Sequence, residues 1–233
     1  MKINTRELSL IAVFAALSVV CDAVVTPGFS AGVWYGWVFM ISPITGIILG
    51  PYNGFLSTLI GAVIGHSLVS RETVYEFVFT LGAPTCSLVS GFVFKGSWKR
   101  VFAYYTVLLA SYFLTPLSRQ LPIWGMWDCY LAYFILIAMG ILLTFRGSEE
   151  IKGRLLFALS AFLGLEADIL LRIFILVPCQ AYHFFYGLTP ETLVALWAVP
   201  APLITPFKVI LSTFFATLIG SRITRILRES YAK

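Results

Sequence analysis

Residues 33–70 read VWYGWVFMISPITGIILGPYNGFLSTLIGAVIGHSLVS and contain two apolar runs, 33–49 and 52–70. Only Gly50-Pro51 separates the two runs, and a glycine–proline pair is typical of a tight turn. A helix needs about 20 apolar residues to cross a bilayer, and each run is nearly that long. The segment therefore predicts a hairpin of two antiparallel transmembrane helices.

Six more apolar runs flank this hairpin. They lie at residues 8–25, 74–94, 101–118, 122–145, 155–178 and 203–221. Their continuous apolar character favours helices, because the strands of a membrane barrel alternate polar and apolar residues. We expect an all-α bundle of about eight spans that forms a single integral membrane domain over residues 1–233. Between the last two runs, residues 191–199 follow Pro190 and precede Pro200, and we expect them to form a short interfacial helix.

The composition of the chain excludes several classes of protein. Apolar residues make up 59% of the 233 residues and charged residues only 12%, against about 25% charged residues in an average soluble domain. A cytosolic enzyme, a disordered chain and a nucleic-acid-binding protein are therefore excluded, although the formal net charge is +5. The expected location is the cell membrane, as a multi-pass protein in contact with lipid.

The basic residues are distributed unevenly along the chain. If the N-terminus is cytoplasmic, most of the 16 lysines and arginines fall in cytoplasmic segments. These residues are Lys2, Arg6, Lys95, Lys99, Arg100, Arg146, Lys152, Arg154, Arg222, Arg225, Arg228 and Lys233. Because cytoplasmic loops carry an excess of lysine and arginine, we predict that both termini are cytoplasmic.

Ionisable side chains within the apolar runs are costly in a bilayer, so each is a candidate functional residue. In this topology they lie toward the outer ends of the spans, as a ligand cavity open to the outside requires. Together with aromatic residues at the same ends, the predicted ligand-binding residues are Trp34, Tyr35, Trp37, His66, Tyr75, Glu76, Trp127, Asp128, Asp168, Arg172 and Lys208. The loop 26–33 is a candidate lid over this site.

Structural roles for these residues remain open. Asp168 and Arg172 are one helical turn apart and can form an ion pair without any ligand. Lys208 can contact an anionic ligand or pair with Glu166, and His66 can be a hydrogen-bonded packing residue. The aromatic residues can form an interfacial belt or stack against a ring-containing ligand.

Motifs for catalysis and for cofactor binding are absent from the sequence. It contains neither the GxxxxGK[ST] phosphate-binding loop nor an HExxH zinc motif. A GxSxG match at residues 28–32 is attributed to chance, because that motif needs a strand before it and a helix after it. We therefore predict no catalytic residue, no metal site and no cofactor, and we do not expect an enzyme. The four cysteines show no CxxC spacing and are expected to be buried free thiols.

Small residues recur every four positions along the hairpin and in the first run. Gly46, Gly50 and Gly54 form one such series, and Ala12 and Ala16 form another. This spacing produces a flat stripe that another backbone can approach closely. For the glycines, packing within the bundle explains the stripe. The alanine stripe can face either the bundle or a partner subunit.

Four stretches together resemble a known family of membrane proteins. They are Ala12-x-x-x-Ala16 after a basic N-terminus, the glycine-rich hairpin from Gly46 to Gly65, the run from Ser87 to Lys95, and Pro206-Phe207-Lys208. Their order and spacing resemble the substrate-binding (S) subunits of energy-coupling factor (ECF) transporters, which import vitamins and other micronutrients. The family core has six helices, so either two spans are inserted between residues 101 and 178 or two of the runs are not spans.

This resemblance implies a function and partners. The chain is expected to capture a small water-soluble micronutrient and to work with a separate transmembrane coupling subunit and ATPase subunits. Ala12 and Ala16 are the expected docking residues for the coupling subunit. Lys2 stands where nickel- and cobalt-binding members carry a histidine, which argues against those metals as ligands. The alternative is a stand-alone secondary transporter or channel that uses Asp168, Arg172 and Glu166 as an intramembrane relay.

Overall fold

The computed structural model describes residues 5–24, 37–69, 74–146, 153–220 and 222–224, and nearly all of them are helical. No β-strand occurs within these ranges, which confirms the all-α class. Each of the eight apolar runs contains one long helix. These helices are α1 (Thr5–Val19), α2 (Val38–Leu49), α3 (Pro51–Val69), α4 (Gly82–Phe94), α5 (Trp98–Leu114), α6 (Trp127–Arg146), α7 (Arg154–Leu176) and α10 (Pro200–Phe215).

Shorter elements extend or connect these helices. π-Helical turns continue α1 and α10, over Val20–Val24 and Ala216–Gly220, and 3₁₀-helices precede α4 and α6, over Val74–Leu81 and Ile123–Met126. A further 3₁₀-helix, Pro116–Arg119, follows α5. Between α7 and α10 lie the short helices α8 (Ala181–Phe184) and α9 (Pro190–Ala198).

Helix α9 confirms the short helix predicted in this part of the chain. The hydroxyl of Thr189 accepts a hydrogen bond from the backbone N–H of Thr192 at 3.3 Å, an N-cap that satisfies one of the free donors of the first turn. The carboxylate of Glu191, also in this first turn, has a lowered pKa because it accepts hydrogen bonds from its own backbone N–H and from Thr189. Pro200, the first residue of α10, follows the end of α9, since proline at that position cannot continue the preceding helical hydrogen bonds.

Four helical segments are long and apolar enough to cross a membrane: Thr5–Val24, Phe77–Phe94, Ile123–Phe145 and Pro200–Thr224. They make the chain compatible with a membrane location. Helix α2 has only 12 residues, and α7 carries Glu166, Asp168 and Arg172 in its second half.

The helices alternate in direction, and side-chain contacts identify which ends meet. At one end, called here the polar end, His66 near the end of α3 contacts Asp22 after α1, and Gly82 at the start of α4 lies against Asp168 in α7. At the other end, called here the basic end, Gly140 in α6 faces Trp98 in α5. The polar end therefore gathers the ends of α1, α3 and α7 and the beginnings of α4, α6 and α10.

Close backbone contacts hold α2, α3 and α4 together. A Cβ at Gly46 would lie 2.6 Å from the carbonyl carbon of Ser87, and one at Gly54 would lie 2.7 Å from the Cα of Gly46. The Ser87 hydroxyl donates to the carbonyl of Ser42 at 2.7 Å and lies 2.7 Å from the hydroxyl of Thr58. The glycine stripe thus packs inside the bundle, as expected, and serine and threonine hydroxyls join the same three helices.

Helix α7 lies at the centre of the bundle. It contacts α2, α4, α5, α6 and α10, and Leu163, Leu165 and Leu170 are fully buried on it. Two tyrosines of α5 donate hydrogen bonds to its backbone, from Tyr104 to Ala167 at 2.8 Å and from Tyr105 to Leu163 at 2.7 Å. Glu166 and Asp168, the two acidic residues of α7, therefore lie inside protein.

Candidate functional site

Helix α7 places its two acidic residues on different sides. Glu166 and Asp168 are two positions apart, which corresponds to about 200° around an α-helix of 3.6 residues per turn. Both side chains are buried, with exposed fractions of 0% and 1%. Each consequently belongs to a separate polar cluster with different neighbouring helices.

The first group, called here the ion cluster, consists of Asp168, Arg172 and Lys208. Arg172 donates from Nε to Oδ1 of Asp168 at 2.6 Å, which confirms the predicted pair one helical turn apart. Gly82 on α4 lies directly against this pair, and a Cβ there would contact Asp168 Oδ1 and lie 2.9 Å from Arg172 Nε. A glycine at position 82 therefore gives the ion pair the room it occupies.

Lys208 reaches the ion cluster from α10. Its side chain is 8% exposed, and its Nζ lies 4.4 Å from the centre of the Phe39 ring, a cation–π distance. Asp168 attracts the Lys208 ammonium electrostatically, but no carboxylate in the described ranges lies within ion-pair distance of it. Lys208 thus presents a buried cation beside an ion pair that already uses one oxygen of Asp168.

The second group, called here the acidic cluster, consists of Asp128 and Cys129 at the start of α6 and Glu166 on α7. Their ligand atoms all lie within 4.8 Å of one another. Cys129 donates from Sγ to Oε2 of Glu166 at 3.4 Å. Asp128 accepts two hydrogen bonds, from the backbone N–H of Cys129 at 3.1 Å and from the Thr205 hydroxyl at 2.5 Å.

A third polar contact lies between α1 and α3. Nδ1 of His66 and Oδ2 of Asp22 are 2.6 Å apart, and Nδ1 also lies 3.0 Å from the carbonyl oxygen of Ala62. A Cβ at Gly65 would approach the Asp22 side chain to 2.6 Å, so glycine permits this close packing. His66 therefore has the structural contacts that the packing interpretation requires, and its predicted ligand role stays a prediction.

The aromatic residues predicted at the polar end divide into two sets. Trp37 lies 5.7 Å from Phe39 between ring centres, next to the ring that Lys208 contacts. Trp127 is half-exposed and donates from Nε1 to the carbonyl of Pro202 at 3.0 Å, which anchors α6 to the start of α10. Trp34, Tyr35 and the loop 26–33 lie outside the described residues, as do the side chains of Tyr75 and Glu76.

Two expectations for this region need correction or extension. A pair between Glu166 and Lys208, one of the two alternatives for this lysine, is not formed, because Glu166 faces Cys129 on α6 and Lys208 lies over Phe39. From the sequence, Cys129 was expected only as a packing thiol, and no sequence pattern pointed to Thr205, Gly82 or Phe39. Of these four residues, only Cys129 could have been suspected from the sequence, because it directly follows the candidate residue Asp128.

Ala12 and Ala16 lie on the exposed side of α1, while Ile11, Phe14, Ala15 and Ser18 face the bundle. Val13, Leu17 and Val20 are also exposed on this helix. The alanine stripe is consequently not used for packing within the described part of the chain.

A groove of ≈ 540 Å³ lies between α5 and α6 at the basic end. Apolar and aromatic side chains, among them Trp98, Phe102 and Phe145, form most of its lining. None of the predicted ligand-binding residues lines this groove, so it is not the predicted site.

Comparisons with protein families, with functionally characterised proteins and with solved structures find no match to this chain.

Proposed function

We propose that the chain is a multi-pass subunit of the cell membrane that captures a small water-soluble micronutrient for an ECF-type importer. The ion cluster carries this proposal. A buried ammonium next to a carboxylate–guanidinium pair suits a zwitterionic or anionic ligand, and the neighbouring rings of Phe39 and Trp37 suit a flat, apolar part of the same ligand.

The distribution of charge supports an outside-facing site. Lys95, Lys99, Arg100 and Arg154 are near the ends of helices that meet at the basic end, opposite the ion cluster. Basic residues favour the cytoplasmic side of a membrane. The polar end then faces outward, with both termini cytoplasmic and the eight long helices traversing or entering the membrane.

Replacement of Lys208 by Met tests the ligand site. Met fills a similar volume without charge, and Lys208 has no ion pair in the described ranges, so we expect the variant to melt within about 5 °C of the original chain. The small molecule that copurifies with the original chain should be lost. Mass spectrometry of the extract from purified protein, together with a thermal melt in detergent, measures both effects.

Lys99→Met at the basic end is the matched control and should keep the small molecule. A structural role for Lys208 predicts the reverse pattern, in which the melting temperature falls strongly and bound ligand is retained per folded chain. An original chain that carries no small molecule when purified from its own host membranes would also contradict the proposed site.

A second test concerns the expected docking face. Because Ala12 and Ala16 are exposed, Ala16→Trp should fold and keep its ligand, while the bulky ring should block a closely packed partner helix. We expect the variant to lose copurification of an ATPase subunit with a GxxxxGK[ST] motif from host membranes, measured by peptide mass spectrometry.

Ala110→Trp provides the matched control, since Ala110 is an exposed alanine on α5. It should keep the ATPase subunit. Retention of that subunit by both variants, or its loss from both, would show that the alanine stripe is not the docking face.

The alternative of a secondary transporter with an Asp168, Arg172 and Glu166 relay has less support. Asp168 and Arg172 contact each other beside Gly82, whereas Glu166 faces α6. No hydrogen bond in the described ranges joins Glu166 to the other two residues. Ion-driven uptake by the purified chain alone in liposomes would favour this alternative over the proposed capture subunit.

A further inference from the structure

The acidic cluster concentrates ligand-type atoms in the interior of the bundle. Asp128, Cys129 and Glu166 have exposed fractions of 2%, 0% and 0%. When two carboxyl groups and one thiol are buried together, any negative charge on them needs a positive partner, because a buried charge is costly without one. No lysine, arginine or histidine in the described ranges forms an ion pair with any of the three.

Glu166 supplies an independent sign that a partner belongs in this cluster. Its Oε1 is fully buried and has no hydrogen-bond partner, while its Oε2 receives only the Cys129 thiol. Most buried polar atoms in proteins are paired. A carboxylate oxygen buried without a partner next to a second acidic residue therefore points to a bound cation.

The donor set indicates which kind of cation fits. Carboxylate oxygens alone suit Ca²⁺ or Mg²⁺, whereas a cysteine thiolate with carboxylates suits Zn²⁺ and related transition metals. Tetrahedral coordination with Zn–S of about 2.3 Å and Zn–O of about 2.0 Å separates the two ligand atoms by about 3.5 Å. Cys129 Sγ and Glu166 Oε2 are 3.4 Å apart.

Asp128 and its neighbours complete the arrangement. All three ligand atoms fall within 4.8 Å of one another, close enough for a single ion to contact the three groups. Thr205 already donates to this carboxylate at 2.5 Å, as outer residues do when they orient metal ligands. Three protein ligands leave one tetrahedral position for water or another group.

We propose that Asp128, Cys129 and Glu166 bind one divalent transition-metal ion of the Zn²⁺ type between α6 and α7. The ion joins the start of α6 to the middle of α7 and is separate from the ligand site at Lys208. This inference does not depend on the proposed transport function, because the two sites use different residues and the tests have different readouts.

Cobalt provides the direct test, because Co²⁺ in place of Zn²⁺ gives a near-ultraviolet charge-transfer absorption when a thiolate is bound. The full chain, purified in detergent and stripped with a chelator, is titrated with Co²⁺. We expect one Co²⁺ per chain and a thiolate charge-transfer band. Zn²⁺ should displace the cobalt and abolish the band.

Cysteine variants assign the band to one thiol. Cys129→Ser should lose it, while Cys86→Ser, which alters another fully buried thiol on α4, should keep it. A chain in which Cys21, Cys86 and Cys179 are all replaced by Ser retains only Cys129 and should still show the band. This last variant keeps the test decisive even when Cys129→Ser does not fold.

Two further variants test the remaining residues. Glu166→Gln should weaken Co²⁺ binding at least tenfold, because it removes a charged ligand. Thr205→Val, which removes the hydroxyl that contacts Asp128 and the carbonyl of Ala201, should weaken binding by about 10- to 100-fold. The absence of a thiolate band in the original chain at excess Co²⁺, or a band that survives Cys129→Ser, would overturn the proposal and leave the acidic cluster as a site of shared protons.

Discussion

Gly46→Val is expected to lower the free energy of unfolding by about 3 kcal/mol or more, which corresponds to about 10 °C in melting temperature. The reason is geometric. A Cβ at position 46 would contact the carbonyl oxygen of Ser87 and lie 2.7 Å from its Cα. These are backbone atoms of α4, so no side-chain rotation can make room, and α2 and α4 must separate.

Separation of these helices would also break the hydroxyl contacts between them. Ser87 donates to Ser42 on α2 and contacts Thr58 on α3, and both contacts depend on the close approach at Gly46. The loss of stability is measured by heating samples in detergent to a series of temperatures and determining the folded fraction of each by size-exclusion chromatography.

Ala110→Val is the control for added volume on a helix. Ala110 lies on the exposed side of α5, and surface substitutions usually change stability by less than about 0.5 kcal/mol. A Gly46→Val variant as stable as this control would show that α2 and α4 do not pack as described.

The second large loss of stability is expected for Asp168→Asn. Asp168 is 1% exposed, and removal of one partner of a buried ion pair typically costs about 3–5 kcal/mol. Arg172 is partly exposed, with a side-chain fraction of 36%, so water compensates for part of the loss and we expect about 3 kcal/mol. Lys208 loses its strongest attractive electrostatic partner in the same variant.

A double variant separates these contributions. In Asp168→Asn combined with Lys208→Met, the buried ammonium is absent, so the chain should be more stable than Asp168→Asn alone. Glu191→Gln is a matched control, because this carboxylate at the start of α9 is exposed, and it should leave the melting temperature nearly unchanged. Additive effects of the Asp168 and Lys208 substitutions would show that the two residues do not interact.

Helix content and helix positions were predictable from the sequence because both follow from local properties. Each apolar run contains a helix, and Gly50-Pro51 ends α2 and begins α3 as predicted. Gly50 has φ of +82°, a left-handed conformation that glycine adopts without strain. The pair Asp168 and Arg172 was predictable for the same reason, since residues four apart in a helix are neighbours.

Partners on other helices were not predictable from the sequence. A pair between Glu166 and Lys208 was one of two alternatives from the sequence, whereas the structure brings Glu166 to Cys129, 37 positions earlier in the chain. The rotation of α7 about its own axis decides between these alternatives, and that rotation depends on packing against five helices at once. Small residues such as Gly82 and Gly164 set how closely α4 can approach.

The amino-acid sequence by itself determined that this protein is an all-helical bundle suited to a membrane, and it determined which short-range pairs form. These properties depend on hydrophobicity, turn chemistry and helical periodicity, which act over a few neighbouring residues. Only the tertiary structure decided that the buried charges divide into an ion cluster and an acidic cluster. That division depends on the relative rotation and spacing of α4, α6, α7 and α10, because residues far apart in the chain meet only when whole helices pack.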